Sequence, residues 1–367
     1  MQPVIVLTAL LIVSPFRGIS NLSPDSPNVN LICKPVNAAW YTPPQRFQWQ
    51  WQIDQEKVPR VAQDAYAVTT TYPDGTVITK GTQVDMLLYD VDIETTPAQI
   101  ATIKSWGAKV ACYFEAGTWV KTRPWAAKFP KTALGYPYEP PYTNELWVNP
   151  LDPTVRAIIK NTIYPYAKAR GCDLVEPDNV QGFERDSYCT GFEAKTGANC
   201  GSCKSGTTRD YYIDKKCVAD YDAWLDFNKF LATEAHNQGM GVALKNNHFQ
   251  AAELVDYHDY VLSEQCTSYA STYSNGTIIG SNLFGATAND CYGYLPFLEA
   301  GKAVTLTEYS DAEYPMTTGK LCKAAKVYLP YGGFNSILKK TDLTAKPRSA
   351  CCGVLPCGVG KVGSSVV

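Results

Sequence analysis

The segment Gly171-Cys172-Asp173-Leu174-Val175-Glu176-Pro177-Asp178-Asn179 carries the strongest structural signal in the chain. Its apolar centre, bounded by turn-forming residues, is typical of a short buried strand. Glu176 and Asp178 stand two positions apart, and in a strand such side chains point to the same face. The C-terminal ends of parallel strands are where α/β barrels hold their active sites. A helix N-cap is the alternative for one such acid, but it explains two acids less well.

The alternation of strands and helices continues on both sides of this segment. Several helical patterns end at a glycine, which is a typical stop signal. Such alternation predicts a parallel sheet, and nine candidate strands for about eight positions predict a (β/α)8 TIM barrel, with one run misread or lying outside it. An open doubly wound sheet is the alternative, and it is disfavoured because no glycine-rich phosphate loop follows the first strand. The predicted strands are 47–53, 84–89, 109–114, 146–148, 174–178, 242–246, 260–265, 303–309 and 333–338, and the predicted helices are 97–106, 153–170, 220–238, 251–258, 295–300 and 317–328.

The barrel is predicted to occupy 46–344, with segments of other character around and inside it. Residues 1–19 contain a short apolar run typical of a secretory signal peptide, and 20–45 are predicted to be an irregular lead-in. A cysteine-rich insertion at 185–217 predicts a disulfide-stapled loop, and 345–367 predicts an irregular tail rich in Cys and Gly. Zinc at Cys200 and Cys203 is the alternative for the insertion, but the cysteine spacing matches no standard zinc motif.

The thirteen cysteines, taken with a signal peptide, indicate a secreted protein with disulfide bonds. Cys266 with Cys291 is one local pair that we expect. Secretion also makes Asn275-Gly276-Thr277 a glycosylation sequon.

Composition and charge argue against several classes of function. The formal net charge is −2, so no overall positive field attracts nucleic acid. The three histidines have no metal-ligand spacing, and we expect no metal and no cofactor. No apolar stretch reaches the ~18 residues of a membrane span.

Carboxylates recur where five of the predicted strands end. On a TIM barrel these ends meet at one mouth, so the side chains are expected to converge there. The chain lacks a Gly-x-Ser-x-Gly nucleophile motif, and a carboxylate-only metal site is a weaker alternative. Paired carboxylates fit glycoside hydrolysis best, because one acid protonates the leaving oxygen while another attacks the sugar or activates water. The strand-end acids are Asp90 and Asp92, Glu115, Glu176 and Asp178, Glu264, and Glu308.

An ordered set of motifs between residues 45 and 340 resembles the endo-α-1,4-polygalactosaminidase family of glycoside hydrolases. The set comprises Trp49-Gln50-Trp51-Gln52-Ile53, Tyr89-Asp90-Val91-Asp92, Ala111 through Gly117, Gly171 through Val180, Leu244-Lys245-Asn246, Glu264-Gln265-Cys266 and Glu308-Tyr309. The resemblance implies a secreted (β/α)8-barrel enzyme that cleaves α-1,4-linked galactosamine polymers, an amino-sugar polysaccharide. Carried over by motif position, the catalytic pair falls on Asp178 and Glu264. The expected substrate-binding residues are Asp90, Asp92, Tyr113, Glu115, Glu176, Asn179, Lys245, Asn246, Glu308 and Tyr309.

One departure from the family pattern affects the site. The family usually has Asp-Pro-Asp-Asn where this chain has Glu176-Pro177-Asp178-Asn179, which moves one carboxylate outward by about a methylene. This substitution keeps open a catalytically silent barrel that binds glycan, and a glycosidase acting on another α-linked sugar is a further alternative. Lys245 has two open roles, which are pairing with a neighbouring acid and direct contact with sugar.

The spacing of the catalytic carboxylates is the sharpest geometric expectation. We expect Asp178 and Glu264 to face each other at the ~5–5.5 Å typical of retaining enzymes, rather than the ~6.5–9.5 Å of inverting ones. Asp178 is the expected nucleophile, because Asn179 and the start of the next helix stabilise its charged form. Glu264, with its longer side chain, is then the acid/base.

Overall fold

The structure, a computed structural model, describes residues 39–53, 87–138, 140–184, 218–268, 290–312, 315–325, 328 and 331–344, with short strands at 65–66, 70–71, 77–78, 82–83 and 349–350. All of them belong to one compact unit, Pro35–Val367. The predicted signal peptide, the insertion at 185–217, the sequon at 275–277 and most of the lead-in and tail lie outside the described residues and stay predictions.

Eight parallel strands form one sheet whose spatial order follows the chain. Each strand pairs in parallel with the next one, so the predicted (β/α)8 architecture is confirmed. Strands of this kind are covered on both faces, which is why they appear in the sequence as nearly continuous apolar runs. The strands are β1 (Trp49–Gln52), β2 (Leu88–Asp92), β3 (Lys109–Glu115), β4 (Leu174–Asp178), β5 (Gly241–Lys245), β6 (Tyr260–Glu264), β7 (Ala303–Tyr309) and β8 (Asn335–Lys339).

Side chains join the first strand to the eighth and nearly close the barrel. The side-chain oxygen of Asn335, on β8, accepts a hydrogen bond from the backbone N–H of Phe47 at 3.0 Å. The backbone carbonyl of Asn335 accepts one from the Trp49 indole at 2.7 Å. Lys339 Nζ donates to Gln50 Oε1 at 3.2 Å. The short strand Ser349–Ala350 pairs antiparallel with β8.

One predicted strand lies outside the barrel. The run at 146–148 forms Glu145–Val148, the middle strand of a separate antiparallel sheet with Thr118–Val120 and Leu134–Pro137. An apolar run predicts that a strand forms, but it does not predict which strand pairs with it. This side sheet begins three residues after β3 and therefore stands at the mouth of the barrel.

The helices lie close to their predicted bounds. The first, α1, begins at a capping box in which Thr96 and Gln99 satisfy each other's backbone N–H groups. None of the described helices combines the length and the apolar composition that crossing a bilayer requires. The helices are α1 (Pro97–Ser105), α2 (Pro153–Ile158), α3 (Tyr164–Arg170), α4 (Val218–Asn237), α5 (Ala251–Leu254), α6 (Leu295–Glu299) and α7 (Thr318–Ala325).

The predicted helix at 153–170 has the expected ends but an irregular centre. A π-helical turn, Ile159–Ile163, separates α2 from α3. Pro165 follows this turn, and it has no N–H to continue the α-helical ladder, while its ring crowds the carbonyl four residues earlier. The helix ends at Gly171, whose φ of 95° is the left-handed conformation that glycine adopts without strain.

Among the described residues, two disulfide bonds lie on or beside strands of the barrel. Cys266–Cys291, the pair expected from the sequence, is present and begins two residues after the end of β6. Cys112–Cys172 joins β3 to the turn before β4, and the sequence did not indicate it. Both bonds tie segments next to strands that carry predicted site residues.

Candidate active site

A buried lysine is the centre of the site at the mouth of the barrel. Lys245, the last residue of β5, is 1% exposed, and its ammonium nitrogen lies 2.8 Å from Glu176 Oε1, 3.1 Å from Asp178 Oδ1 and 3.4 Å from Glu264 Oε2. The ring of Trp51 lies 4.8 Å from the same nitrogen. Of the two roles left open for Lys245, pairing with acids is therefore observed, and it pairs with three of them.

Exposure separates the three carboxylates around this lysine. The side chain of Glu176 is fully buried, whereas those of Asp178 and Glu264 are 15% and 26% exposed. Glu176 and Asp178 share a face of β4, as the spacing predicted, but only the residue nearer the strand end is open to solvent. A ligand at the mouth can therefore touch Asp178 and Glu264 but not Glu176.

The distance between the two exposed carboxylates has an upper bound. Because Lys245 Nζ contacts both, Asp178 Oδ1 and Glu264 Oε2 are no further apart than the sum of the two contact distances, 3.1 and 3.4 Å. This bound reaches only the lower edge of the ~6.5–9.5 Å that inverting glycosidases leave for a water molecule. The bound applies to these two oxygens, and it brings the two carboxylates together at one point of the mouth.

Asp178 is held by donors from two neighbouring segments. The Tyr113 hydroxyl on β3 donates to Oδ2 at 3.2 Å, and the backbone N–H of Asn179 donates to Oδ1 at 2.7 Å. The chain after β3 packs so closely that a Cβ at Gly117 would lie 1.7 Å from the carbonyl oxygen of Asn179. Only glycine therefore fits at position 117 without displacing the backbone of Asn179.

Glu264 is held on its other side by Asn246 and Tyr309. Asn246 Nδ2 donates to Glu264 Oε2 at 3.0 Å, and the backbone N–H of Glu264 donates to Asn246 Oδ1 at 2.7 Å. The Tyr309 hydroxyl donates to Glu264 Oε1. Both carboxylates of the candidate pair are thus oriented by several hydrogen bonds from rigid strands, which is what a catalytic group needs.

The residues that follow the three central side chains have an unusual backbone. Asn179, Asn246 and Gln265 come directly after Asp178, Lys245 and Glu264, and their φ angles are 59°, 54° and 55°. This left-handed region is uncommon for residues other than glycine, although asparagine tolerates it. Strained backbone of this kind concentrates at functional sites, and here it marks the ends of three adjacent strands.

Two further residues of the expected site lie beneath the mouth or at its edge. Asp90 is fully buried because β2 continues to Asp92, beyond the predicted end at residue 89, so Asp90 faces the barrel interior. Asn179 donates from Nδ2 to Thr118 Oγ1 at 2.9 Å and to Glu145 Oε2 at 3.1 Å. Asp90 therefore lies beneath the mouth, and Asn179 lies at its edge.

Three of the expected substrate-binding acids form ion pairs or hydrogen bonds with residues other than Lys245. Arg123 binds Asp92 through two nitrogens, at 2.9 and 2.8 Å, and binds Glu115 through two more contacts of 2.7 Å. Glu308 is fully buried and accepts hydrogen bonds from Thr267 and Ser268, in the segment after β6. The structure does not bring these three carboxylates to Lys245, and a role in sugar binding stays a prediction that their contacts do not favour.

Two residues near the mouth were missed by the reasoning from sequence. Glu145 accepts a hydrogen bond from Thr118 at 2.8 Å, and burial raises its pKa to about 7 against the lowering effect of that bond, with Glu115 and Asp178 adding to the increase. Tyr142 is 55% exposed, and burial together with the charges of Glu264, Glu145 and Asp178 raises its pKa. Glu145 begins a strand of the side sheet, so it does not stand at the end of a barrel strand.

Trp51 and Arg123 were also missed as parts of the site. Trp51 Nε1 donates to Glu176 Oε2 at 3.2 Å, and Trp51 belongs to the first motif of the family set although it was not among the expected site residues. Arg123 lies outside the regular strands, where no pattern singles it out. Within the described part of the chain, no group of three or more His, Cys, Asp or Glu side chains is arranged to hold a metal ion.

Comparisons with known proteins agree with this architecture. The structure of Ega3 from Aspergillus fumigatus, in complex with galactosamine, is similar with a TM-score of 0.58 and 23% sequence identity, covering 85% of this chain and 97% of that one. The glycoside hydrolase domain of PelA from Pseudomonas aeruginosa is similar with a TM-score of 0.51 and 12% identity, covering 84% of this chain and 99% of that one. No curated protein sequence matches the chain.

The sequence itself matches a family model over most of its length. Residues 32–355 match the glycoside-hydrolase family GH114. This range contains the whole barrel and every residue of the site, and it confirms the family resemblance drawn from the ordered motifs. The chain belongs to the glycoside-hydrolase family GH114.

Proposed function

We propose that the protein is an endo-acting glycosidase that cleaves α-1,4-linked galactosamine-containing polysaccharide with retention of configuration. The observation that carries the proposal is the pair of part-exposed carboxylates, Asp178 and Glu264, held by one buried lysine at the mouth of the barrel. The short separation of their nearest oxygens supports a retaining route.

Asp178 acts as the nucleophile in the proposed reaction. Its carboxylate oxygen forms a bond to the anomeric carbon while the glycosidic C–O bond breaks, and Glu264 gives its proton to the leaving oxygen. In the second step Glu264 takes a proton from water, the water oxygen attacks the anomeric carbon, and the ester bond to Asp178 breaks. Lys245 supports both steps by stabilising whichever carboxylate is charged.

The charge of the mouth supports an amino-sugar substrate. A polymer with free amino groups is cationic near neutral pH, and Asp178, Glu264 and Glu145 give the mouth a negative field that speeds its encounter with the enzyme. Tyr142 offers an exposed ring on which a sugar can stack. The galactosamine in the Ega3 complex is the kind of sugar that such a mouth suits.

We also propose that the enzyme works outside the cell. The two disulfide bonds next to the barrel strands support this, because such bonds persist in oxidising compartments.

The test is incubation of the purified protein with a partly deacetylated galactosamine polymer between pH 4 and 8. We expect oligosaccharides in the mass spectrum, and NMR of the first product is expected to show the α-anomer. Asp178→Asn and Glu264→Gln are the matched controls, since each keeps the shape of its side chain and removes its charge. No cleavage by the wild type across this range contradicts the proposal, and a β-anomeric first product contradicts the retaining route.

A further inference from the structure

A second pocket lies at the end of the barrel opposite the mouth. Its walls come from the segments where β3 and β4 begin, whereas Asp178 and Glu264 stand where their strands end. The volume of the pocket is about 320 Å³, near the lower limit of the ~300–1,000 Å³ that small-molecule sites have. Active sites of TIM barrels lie at the other face, so the proposed reaction gives this pocket no role.

Three lysines and one carboxylate line this pocket. Lys104 belongs to the last turn of α1, Lys109 begins β3, Lys168 belongs to the last turn of α3, and Asp173 precedes β4. Lys104 Nζ and Lys109 Nζ lie 3.0 and 3.5 Å from the same oxygen, Asp173 Oδ1. Three ammonium groups against one carboxylate leave an excess of two positive charges, and such an excess favours an anion.

Two of these lysines also hold the segments that follow helices. Lys104 Nζ donates to the Gly171 carbonyl at 2.8 Å, and Lys168 Nζ donates to the Gly239 carbonyl at 3.1 Å. An ammonium has three N–H groups. Among the contacts of the described residues, Lys168 therefore keeps two N–H groups for a ligand, and Lys104 keeps one after its contact with Asp173. Stabilising the helix ends does not use all the donors that face the pocket.

The hydroxyl of Tyr41 adds a donor of another kind. This hydroxyl is buried, and no hydrogen-bond partner for it exists among the described residues. The ring of Tyr41 lines the pocket, with Lys109 Nζ 5.3 Å from its centre. Burial, and then the charge of Asp173, raises the pKa of this hydroxyl, so it keeps its proton and stays a donor. A buried donor without an acceptor is costly, and a ligand that brings an acceptor removes that cost.

We propose that this pocket binds a phosphate or sulfate group through Lys104, Lys109, Lys168 and the Tyr41 hydroxyl. Either group carries several acceptor oxygens and a charge near −2, which matches the donors and the excess charge of the pocket. The pocket has room for such a group and for part of a sugar that carries it.

Asp173 is the one group that opposes an anion here. Its two oxygens already have partners, because Oδ1 lies beside Lys104 and Lys109 and Oδ2 accepts the backbone N–H of Val110 at 3.1 Å. The three lysines outweigh its charge. The site is independent of the proposed function, since none of its residues belongs to the mouth.

Isothermal titration calorimetry on the purified protein at pH 7 tests the proposal. The ligands are inorganic phosphate, inorganic sulfate, glucose 6-phosphate and galactose 6-sulfate, in about 0.1 M sodium chloride to screen weak surface binding. We expect saturable binding with a Kd of about 1 mM or lower. Tighter binding of the sugar esters by about tenfold assigns the site to a group carried on a sugar, and equal affinity assigns it to the free ion. Absence of saturable binding by all four ligands overturns the proposal.

A pair of lysine variants tests the position of the site. Lys109→Gln removes one charge from the pocket, and we expect the affinity for the best ligand to fall by about tenfold or more. Lys128→Gln is the matched control, because it makes the same change at an exposed position that does not line the pocket. We expect its affinity to stay within about twofold of the wild type. Equal affinities in the two variants overturn the assignment to this pocket.

Tyr41→Phe separates binding from stability. This variant removes only a hydroxyl that has no partner among the described residues, so we expect Tm to be unchanged or higher. The affinity is expected to fall by about three- to fivefold, with a smaller rise of Tm on adding ligand. This variant decides the matter if Lys109→Gln does not fold. A lower Tm with unchanged affinity assigns the hydroxyl to the fold and overturns its role in the site.

Discussion

Two clusters in this barrel have the same number of charges of each sign but differ in how open they are to solvent. In each, one buried cation meets three carboxylates, which are Asp92, Glu94 and Glu115 around Arg123, and Glu176, Asp178 and Glu264 around Lys245. The guanidinium of Arg123 makes its ion pairs at 2.7–3.1 Å, and two of its carboxylates are less than 10% exposed. The ammonium of Lys245 makes looser contacts, and two of its carboxylates are open to solvent.

The difference lies in the cation. Arginine presents a planar fork whose N–H groups pair two by two with carboxylate oxygens, so the acids around it are fixed and satisfied. Lysine is a compact charge that several acids share, so each keeps an oxygen for another partner. A cluster of acids around arginine is therefore suited to holding the structure, and one around lysine to chemistry.

The largest expected effect comes from the exposed acids of the lysine cluster. Asp178→Asn and Glu264→Gln each remove one charge needed in the proposed reaction, and we expect kcat to fall by about 10³-fold or more. Steady-state kinetics on the galactosamine polymer, with circular dichroism to verify folding, measures this. Retention of more than a tenth of kcat in either variant removes that residue from the proposed pair.

Replacing the lysine by arginine in one variant, and the arginine by lysine in another, tests the distinction between the two clusters most directly. We expect Lys245→Arg to lose about 100-fold in kcat, because the larger guanidinium displaces the carboxylates it is meant to hold. Arg123→Lys is expected to lower the free energy of unfolding by about 2 kcal/mol, because the ammonium cannot replace the paired hydrogen bonds, and to leave kcat within about threefold. Urea denaturation and steady-state kinetics on both variants provide the measurements, and equal effects of the two exchanges on kcat contradict the distinction between the clusters.

The charge of Glu145, which depends on pH, provides a further test of the lysine cluster and the mouth around it. Burial raises its pKa to about 7, so the group is mostly neutral below that pH and charged above it. If its charge helps to bind a cationic polymer, Glu145→Gln raises KM by about fivefold at pH 8 and has little effect at pH 5. The ratio of KM values at the two pH values is the measurement, and an effect that is larger at pH 5 contradicts this role.

The smallest expected effect concerns the exposed ring of Tyr142. Removing a stacking surface in Tyr142→Ala is expected to raise KM by about threefold and to leave kcat almost unchanged, whereas Tyr142→Phe keeps the ring and most of the affinity. Kinetics on short galactosamine oligomers measures the difference. Equal KM values for the two variants show that the ring does not contact the sugar.

The sequence predicted which segments form strands and helices better than it predicted how the strands pair and where a helix is irregular. The bounds of β4 and β7 are as predicted, because their apolar runs are bounded by turn residues. The run at 146–148 is a strand, but hydrophobicity contains no information about its antiparallel partners. The irregular turn before Pro165 was not expected, since the apolar spacing of the helix continues through it.

Within the site, spacing placed Glu176 and Asp178 on one face but did not separate their exposures. Asp92 and Glu115 follow the same strand-end rule as Asp178, and only Arg123, from an irregular segment, draws them away. Glu145 approaches the mouth from outside the barrel strands, so no rule about strand ends identifies it. The sequence therefore predicted the mouth, whereas the placement of Asp92 and Glu115 depends on Arg123, which no strand pattern indicates.

The closure of the barrel by Asn335 has a consequence for how the chain folds. The indole of Trp49 and the carbonyl it bonds to are separated by 286 residues. During synthesis, the first strand of the barrel is made before its partner at the seam, which is the last of the eight strands, so this contact is among the most distant in sequence. A chain ending before residue 335 is expected to leave this indole in water, with red-shifted tryptophan emission that the full chain loses. The bond between the Trp49 indole and the backbone carbonyl of residue 335 therefore forms only after the last strand of the barrel has been made.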